Sequence, residues 1–215
     1  MTDLTLLVPE IVLVATALAL ILVARHLEKA RTVATGVVLA ALVALGSSWA
    51  LLTPDVGFGG TIAGDGYARF FEVLFSATLA IAALLAIRHV DRERVRPGEF
   101  YALLLLASTG MMLAASAMDL LILYLGLELM TLCSYVLVGI TREKSTSTEA
   151  AIKYFLQGAF ASALLLYGIG LTYGITGATK FASIASTASE RGLSENPLLL
   201  AGVALVVLGL AFKIA

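Results

Sequence analysis

The sequence predicts an all-α membrane protein of seven transmembrane helices with its N-terminus outside. Of its 215 residues 60% are hydrophobic and 13% charged, whereas soluble domains are about half apolar and about a quarter charged. Mean hydropathy is +0.99. Apolar windows recur at the length a bilayer core requires, about 20 residues of helix, and basic residues are concentrated in alternate loops.

The windows run from Leu4 to Ala24, Val33 to Leu52, Phe70 to Ile87, Phe100 to Ala117, Leu120 to Ile140, Ala150 to Tyr173 and Leu198 to Ala215, and together form one transmembrane domain over residues 1–215. Each is read as a helix because lipid leaves the backbone to satisfy its own hydrogen bonds. The first window lacks a basic n-region and a small-residue cleavage site, so it is a span and not a signal peptide. Pro9 lies near enough to its start to be taken into the first turns. A barrel would need alternation in segments of about 10 residues, and none is visible.

The junctions "ARHLEKAR", "TPDVGFGGTIAGDGYAR", "IRHVDRERVRPGE" and "TREKSTSTE" collect most of the charges together with glycine and proline. "SAMD" must turn the chain in very few residues, with Asp119 as the candidate helix cap. "GATKFASIASTASERGLSENP" is expected to include a short interfacial helix with Phe181 and Ile184 facing lipid. In "YGIGLTYG" no strand precedes the glycines, which argues against a dinucleotide loop. Gly170 and Gly174 are instead expected to permit close helix packing.

Arg25, Lys29 and Arg31 fall in the first loop, Arg88, Arg92, Arg94 and Arg96 in the third, and Arg142 and Lys144 in the fifth. The even loops carry only Arg69, Lys180 and Arg191. The positive-inside rule makes the odd loops cytoplasmic. Cys133 is the only cysteine, and His26 and His89, the only histidines, are assigned to charged loops. The chain is therefore expected to hold no iron-sulfur cluster and no paired haem ligands, hence no redox centre and no cofactor of its own. Its surroundings are the lipid bilayer, and no nucleic-acid partner is expected.

The fifth window carries a carboxylate, Glu128, nine residues beyond Asp119, or about 13 Å along a helix and near the middle of a core about 30 Å thick. A charge there costs roughly 2.5 to 3.5 kcal/mol on insertion scales, so it should face protein or water. Tyr124, Glu128, Thr131 and Tyr135 follow at spacings of four, three and four, which places them on one helix face. Such a face serves a proton path, or a hydrogen-bond seam in which a protonated Glu128 only packs helices. Lys213 lies far along the last window, where it either meets a partner or snorkels to an interface. At roughly 7 Å and an effective dielectric near 20, its attraction to Glu128 would be about 2.4 kcal/mol. Moving it away would then make it a better proton donor. Glu149 and Lys153 form an i, i+4 pair at the start of the sixth window, with Gln157 continuing their face. They are a surface salt bridge or the cytoplasmic mouth of a proton path.

"LYLGLELMTLCSYVLVG", "EAAIKYFLQGAFASALLLYGIGLTYG", "GLAFKIA", "VPEIVL" and "DGYARFFEVL" together resemble the subunit N family of proton-pumping NADH:quinone oxidoreductase, respiratory complex I, over nearly the whole chain. The resemblance implies an antiporter-like subunit with an inverted repeat of five-helix units beginning near the fourth span. It implies a proton-translocating role in which Glu128 matches the fifth-helix glutamate, Lys213 the lysine of an interrupted seventh helix, and Lys153 the sixth-helix lysine. It also implies a bacterial inner-membrane setting, with NADH, FMN, iron-sulfur clusters and quinone in partner membrane and peripheral subunits. A sodium/proton antiporter or a membrane-bound hydrogenase built on the same helices is the related alternative, and a non-transporting scaffold the unrelated one. The family continues past Ala215 with the rest of the broken helix, another lysine-bearing helix and a second repeat, so the chain is expected to be an N-terminal part, roughly half.

Overall fold

A computed structural model describes residues 3–24, 29–50 and 55–214. Eight α-helices are described: α1 (Val8–Val23), α2 (Ala30–Ala50), α3 (Gly66–Arg92), α4 (Pro97–Ala115), α5 (Leu120–Val138), α6 (Ser145–Thr176), α7 (Phe181–Glu190) and α8 (Pro197–Ile214). With the short 3₁₀ segment Asp3–Leu7 added to α1, seven are long and apolar enough to cross a membrane. They follow the seven expected windows. Arg25, His26, residues 51–52 and Ala215 lie outside the described residues.

Local chemistry sets the helix starts. Pro9 occupies the first turn of α1, and Pro97 opens α4, positions where a missing N–H costs nothing. Asp65 caps α3 by accepting from Ala68 N at 2.9 Å, and Asp119 caps α5 by accepting from Leu121 N at 2.8 Å. α3 extends well past its apolar window, so His89 stands in its last helical turn beside the Phe100 ring and not in a loop. The 32 residues of α6 correspond to about 48 Å of helix, more than a core of about 30 Å can cover.

Two packed regions result. In the first, α1, α2, α3 and α4 enclose Leu13, Ala17, Val37, Leu79, Leu105 and Met112. Buried Ala34, Val37, Ala41 and Ala44 give α2 a small-residue face of the kind that lets backbones approach in a membrane. The buried Tyr101 hydroxyl donates to the Ala83 carbonyl at 3.0 Å, tying α4 to α3. In the second region α5, α6 and α8 meet around Leu120, Leu165 and Ile169. α4 lies directly against α5, joining the two regions.

The glycines that allow close approach are not those the sequence suggested. Gly170 and Gly174 face open space. A Cβ on Gly168 would lie 2.7 Å from the Gly202 carbonyl oxygen, and one on Gly209 would lie 2.7 Å from Leu165 Cβ. α6 and α8 therefore touch along Gly168, Gly202 and Gly209. At the α4–α5 crossing, a Cβ on Gly126 would lie 2.6 Å from Ala114 N.

One end of the bundle is braided by loops. The second loop contains a hairpin, β1 (Val56–Gly57) and β2 (Ile62–Ala63), that the sequence did not suggest. Ala63 N donates to Ser116 O and Met118 N to Thr61 O, both at 2.8 Å, while Leu120 N donates to Thr179 O at 2.9 Å. The Thr179 hydroxyl donates to Asp119 Oδ2 at 2.6 Å, and Lys180 Nζ reaches the Gly59 carbonyl. The expected helix after this loop is α7. Its Ile184 packs against the Leu120 cluster instead of facing lipid, while Phe181 is exposed. At the other end Lys144 donates to Glu93, linking the loop before α6 to the end of α3. The second, fourth and sixth loops thus share one end of the bundle, and the third and fifth the other.

Gly126→Leu should lower the thermal midpoint of the detergent-solubilised protein, corresponding to about 1 to 3 kcal/mol of overpacking, while Gly170→Ala should leave it unchanged or raised. The hydrogen bond from the Lys144 ammonium holds the Glu93 carboxyl below the usual carboxylate range. Because the folded value is the lower one, the tie contributes fully above the ordinary glutamate range and is lost as pH falls through the lowered value. Amide exchange across residues 140–144 should rise on such acidification relative to Glu93→Gln, and equal profiles would count against the tie.

Candidate proton-transfer site

α5 turns one face toward α6 and α8, and that face carries Tyr124, Glu128, Thr131 and Tyr135. Thr131 and Tyr135 are buried, and Tyr124 packs against the Leu120 cluster. The Tyr135 ring stands edge-on to Tyr154 at 4.7 Å and Phe155 at 5.8 Å. Its hydroxyl occupies the space over Gly158 that a Cβ would fill.

α8 delivers the partner. Lys213 Nζ donates to Glu128 Oε1 at 2.7 Å, and the side chains are only 4% and 18% exposed. This excludes snorkelling for Lys213 and brings the pair into direct contact. Lys213 Nζ also reaches Thr131 Oγ1 at 3.4 Å. The Gly209 contact with α6 lies one turn before Lys213 on α8, so the close approach and the ammonium share a helix face.

The sequence reading missed Ser162. Its hydroxyl, on α6, donates to the same Glu128 oxygen that Lys213 approaches. Gly158, four residues earlier, was the available signal: it and Ser162 form a small-residue face that admits the Glu128 and Tyr135 side chains. One carboxylate oxygen thus accepts from an ammonium and a hydroxyl. The arrangement can hold a proton on either the lysine or the carboxylate without leaving a charge unpaired.

Glu149 and Lys153 pair with each other, as their spacing required, but do not join this cluster. Their side chains are 63% and 74% exposed on the early turns of α6, so little stability follows from their contact. Cys133 is buried and unpaired by disulfide. Among the described residues no group of three or more His, Cys, Asp or Glu side chains could hold a metal.

A family model described as NADH:quinone oxidoreductase/Mrp antiporter, TM matches residues 117–215, the part containing this cluster. NADH-quinone oxidoreductase subunit N of Trichlorobacter lovleyi is 38% identical, covering 99% of this chain and 44% of its own length. A chain of respiratory complex I from Thermus thermophilus superposes with a TM-score of 0.74 at 31% identity, over 94% of this chain and 43% of that one. An archaeal membrane-bound sulfane sulfur reductase contains a chain with a TM-score of 0.82 at 20% identity, over 98% of this chain and 44% of that one, a likeness of fold alone. The chain spans a little under half the length of these relatives. In helix order, fold and sequence it is thus similar to NADH-quinone oxidoreductase subunit N and to antiporter-like, multi-pass membrane subunits.

Proposed function

We propose that this chain forms the first part of a proton-translocating membrane subunit of NADH:quinone oxidoreductase, and that the Glu128–Lys213 pair is the element that gains and releases the proton. The observation that carries this reading is a buried ammonium-carboxylate contact of 2.7 Å within the spanning helices. Such a pair is stable as two charges or as two neutral groups, and separating it changes which side chain keeps the proton. Glu128 sets the charge state of Lys213, and Lys213 hands its proton onward when the contact opens. Ser162 and Thr131 fix the carboxylate and ammonium in the closed arrangement.

Glu149 and Lys153 help proton entry from the cytoplasmic side, where α6 extends beyond the apolar core. NADH, FMN, iron-sulfur clusters and quinone belong to partner membrane and peripheral subunits, in a bacterial inner membrane. The fold is shared with a chain of another respiratory membrane complex, so the coupled reaction rests on the partners. The identity to subunit N relatives favours complex I over an antiporter or hydrogenase setting.

In the full-length protein within its complex, Glu128→Gln should assemble and retain electron transfer to quinone but lose proton pumping. Unchanged pumping would reduce the pair to a helix-packing device. Ser162→Ala should weaken folding by about 1.5 to 3 kcal/mol, as for a lost hydrogen bond to a charged group, read as a lower thermal midpoint. Pumping should fall in Ser162→Ala without the complete loss of Glu128→Gln.

A further inference from the structure

A second polar cluster lies in the other packed region, near its braided end. Glu10, in the first turn of α1, is 4% exposed, and neither of its carboxyl oxygens has a hydrogen-bond partner among the described residues. Glu72, on α3, is 6% exposed. Ser48 of α2, whose hydroxyl donates to the Ala44 carbonyl at 3.1 Å, lines one cavity with Glu72, and the charge of Glu72 bears on Glu10. Ser76, one turn beyond Glu72 on the same helix face, is completely buried, and its hydroxyl has no hydrogen-bond partner among the described residues. Thr5, Leu6, Pro9, Ser48, Arg69 and Glu72 line a small cavity between these helices with room for about one water. The preceding 3₁₀ segment is anchored to the second loop by Asp3, which accepts from Phe58 N at 2.7 Å.

Charge balance decides what such a cluster holds. With both carboxylates ionised against the single Arg69 guanidinium, the site would carry an uncompensated negative charge in a buried setting, which the protein avoids by taking up a proton. α2 contributes hydroxyls but no charged group here. Glu99 of α4, a helix that also packs on α1, stands in the first turn of α4 at the opposite end. One proton makes the cluster neutral. Glu72, which shares the cavity with the Arg69 guanidinium, is the better place for the remaining negative charge, which leaves the proton on Glu10.

We propose that Glu10 and Glu72 form a second proton-binding site, in which two carboxyl groups share one exchangeable proton near the braided end, separate from the Glu128–Lys213 pair. The adjoining cavity borders Glu72 and gives the proton a water to leave by: the Glu10 O–H bond breaks as the Glu72 carboxylate takes the proton, the Glu72 O–H bond breaks in turn as the water takes it, and the same two transfers in reverse return it.

Infrared spectroscopy of the full-length protein in its complex, at neutral pH and compared between H2O and D2O, tests this. The expected result is a deuterium-sensitive carboxylic-acid carbonyl band in the parent and in Glu128→Gln. That band should disappear in Glu10→Gln and shift or disappear in Glu72→Gln. Ser48→Ala, a milder change, should shift it. Absence of the band in the parent, or its persistence unchanged in Glu10→Gln and Glu72→Gln, would overturn the proposal. Should Glu10→Gln fail to assemble, an unchanged band in Glu72→Gln and Ser48→Ala is sufficient to reject it.

Discussion

The low dielectric of a membrane-spanning bundle forbids a lone charge, and the packing of α5, α6 and α8 follows from meeting that demand at Glu128. Three helices must converge closely for an ammonium on one and a hydroxyl on another to reach a carboxylate on the third. Gly168, Gly202 and Gly209 supply the closeness, because backbone meets backbone where a Cβ would collide. Gly158 does the same for Tyr135, seating an aromatic side chain directly on α6. Small residues thus set the distances, and the polar residues use them.

Much of this was legible because lipid reduces the choices. Seven apolar windows could only become helices, and the four, three, four spacing from Tyr124 to Tyr135 fixed a face. What a single helix cannot disclose is which partner helix that face meets. Gly170 and Gly174 looked like packing glycines, yet Gly168 is the one in contact. A two-residue offset rotates a position by about 200° around an α-helix, and nothing in the apolar sequence around them marks which side faces α8. Ser162 was hidden for the same reason. Glu10 was hidden for another: an acid beside Pro9 at a helix start reads as a favourable first-turn charge, and only the tertiary packing shows it enclosed.

The two packed regions solve the problem of buried acid groups differently. Around Glu128 an opposite charge is brought in on a distant segment, so neutrality depends on helix α8 keeping its position. At the second, Glu10 and Glu72 are both buried and a single guanidinium, Arg69, lines the cavity with Glu72, so in the proposed site neutrality depends on protonation. On the proposed reading, the first arrangement responds to movement and the second to proton supply. They occupy different helix groups, joined through the α4–α5 contact.

Magnitudes bear on whether the Glu128–Lys213 contact is a lock or a switch. At 2.7 Å and an effective dielectric near 20, the bare attraction is about 6 kcal/mol. Burying each ion costs several kcal/mol, so the two effects nearly cancel. Withdrawal of Lys213 to roughly 7 Å would leave about 2.4 kcal/mol of attraction, less than the cost of keeping both groups ionised. The hydroxyls of Ser162 and Thr131 act on the closed state, where they are within reach, and so enlarge the difference between closed and open. On the proposed reading, a pair poised near balance, with its geometry set by small residues on α6 and α8, changes protonation with a modest displacement of one helix. A pair held by attraction alone would need a far larger one.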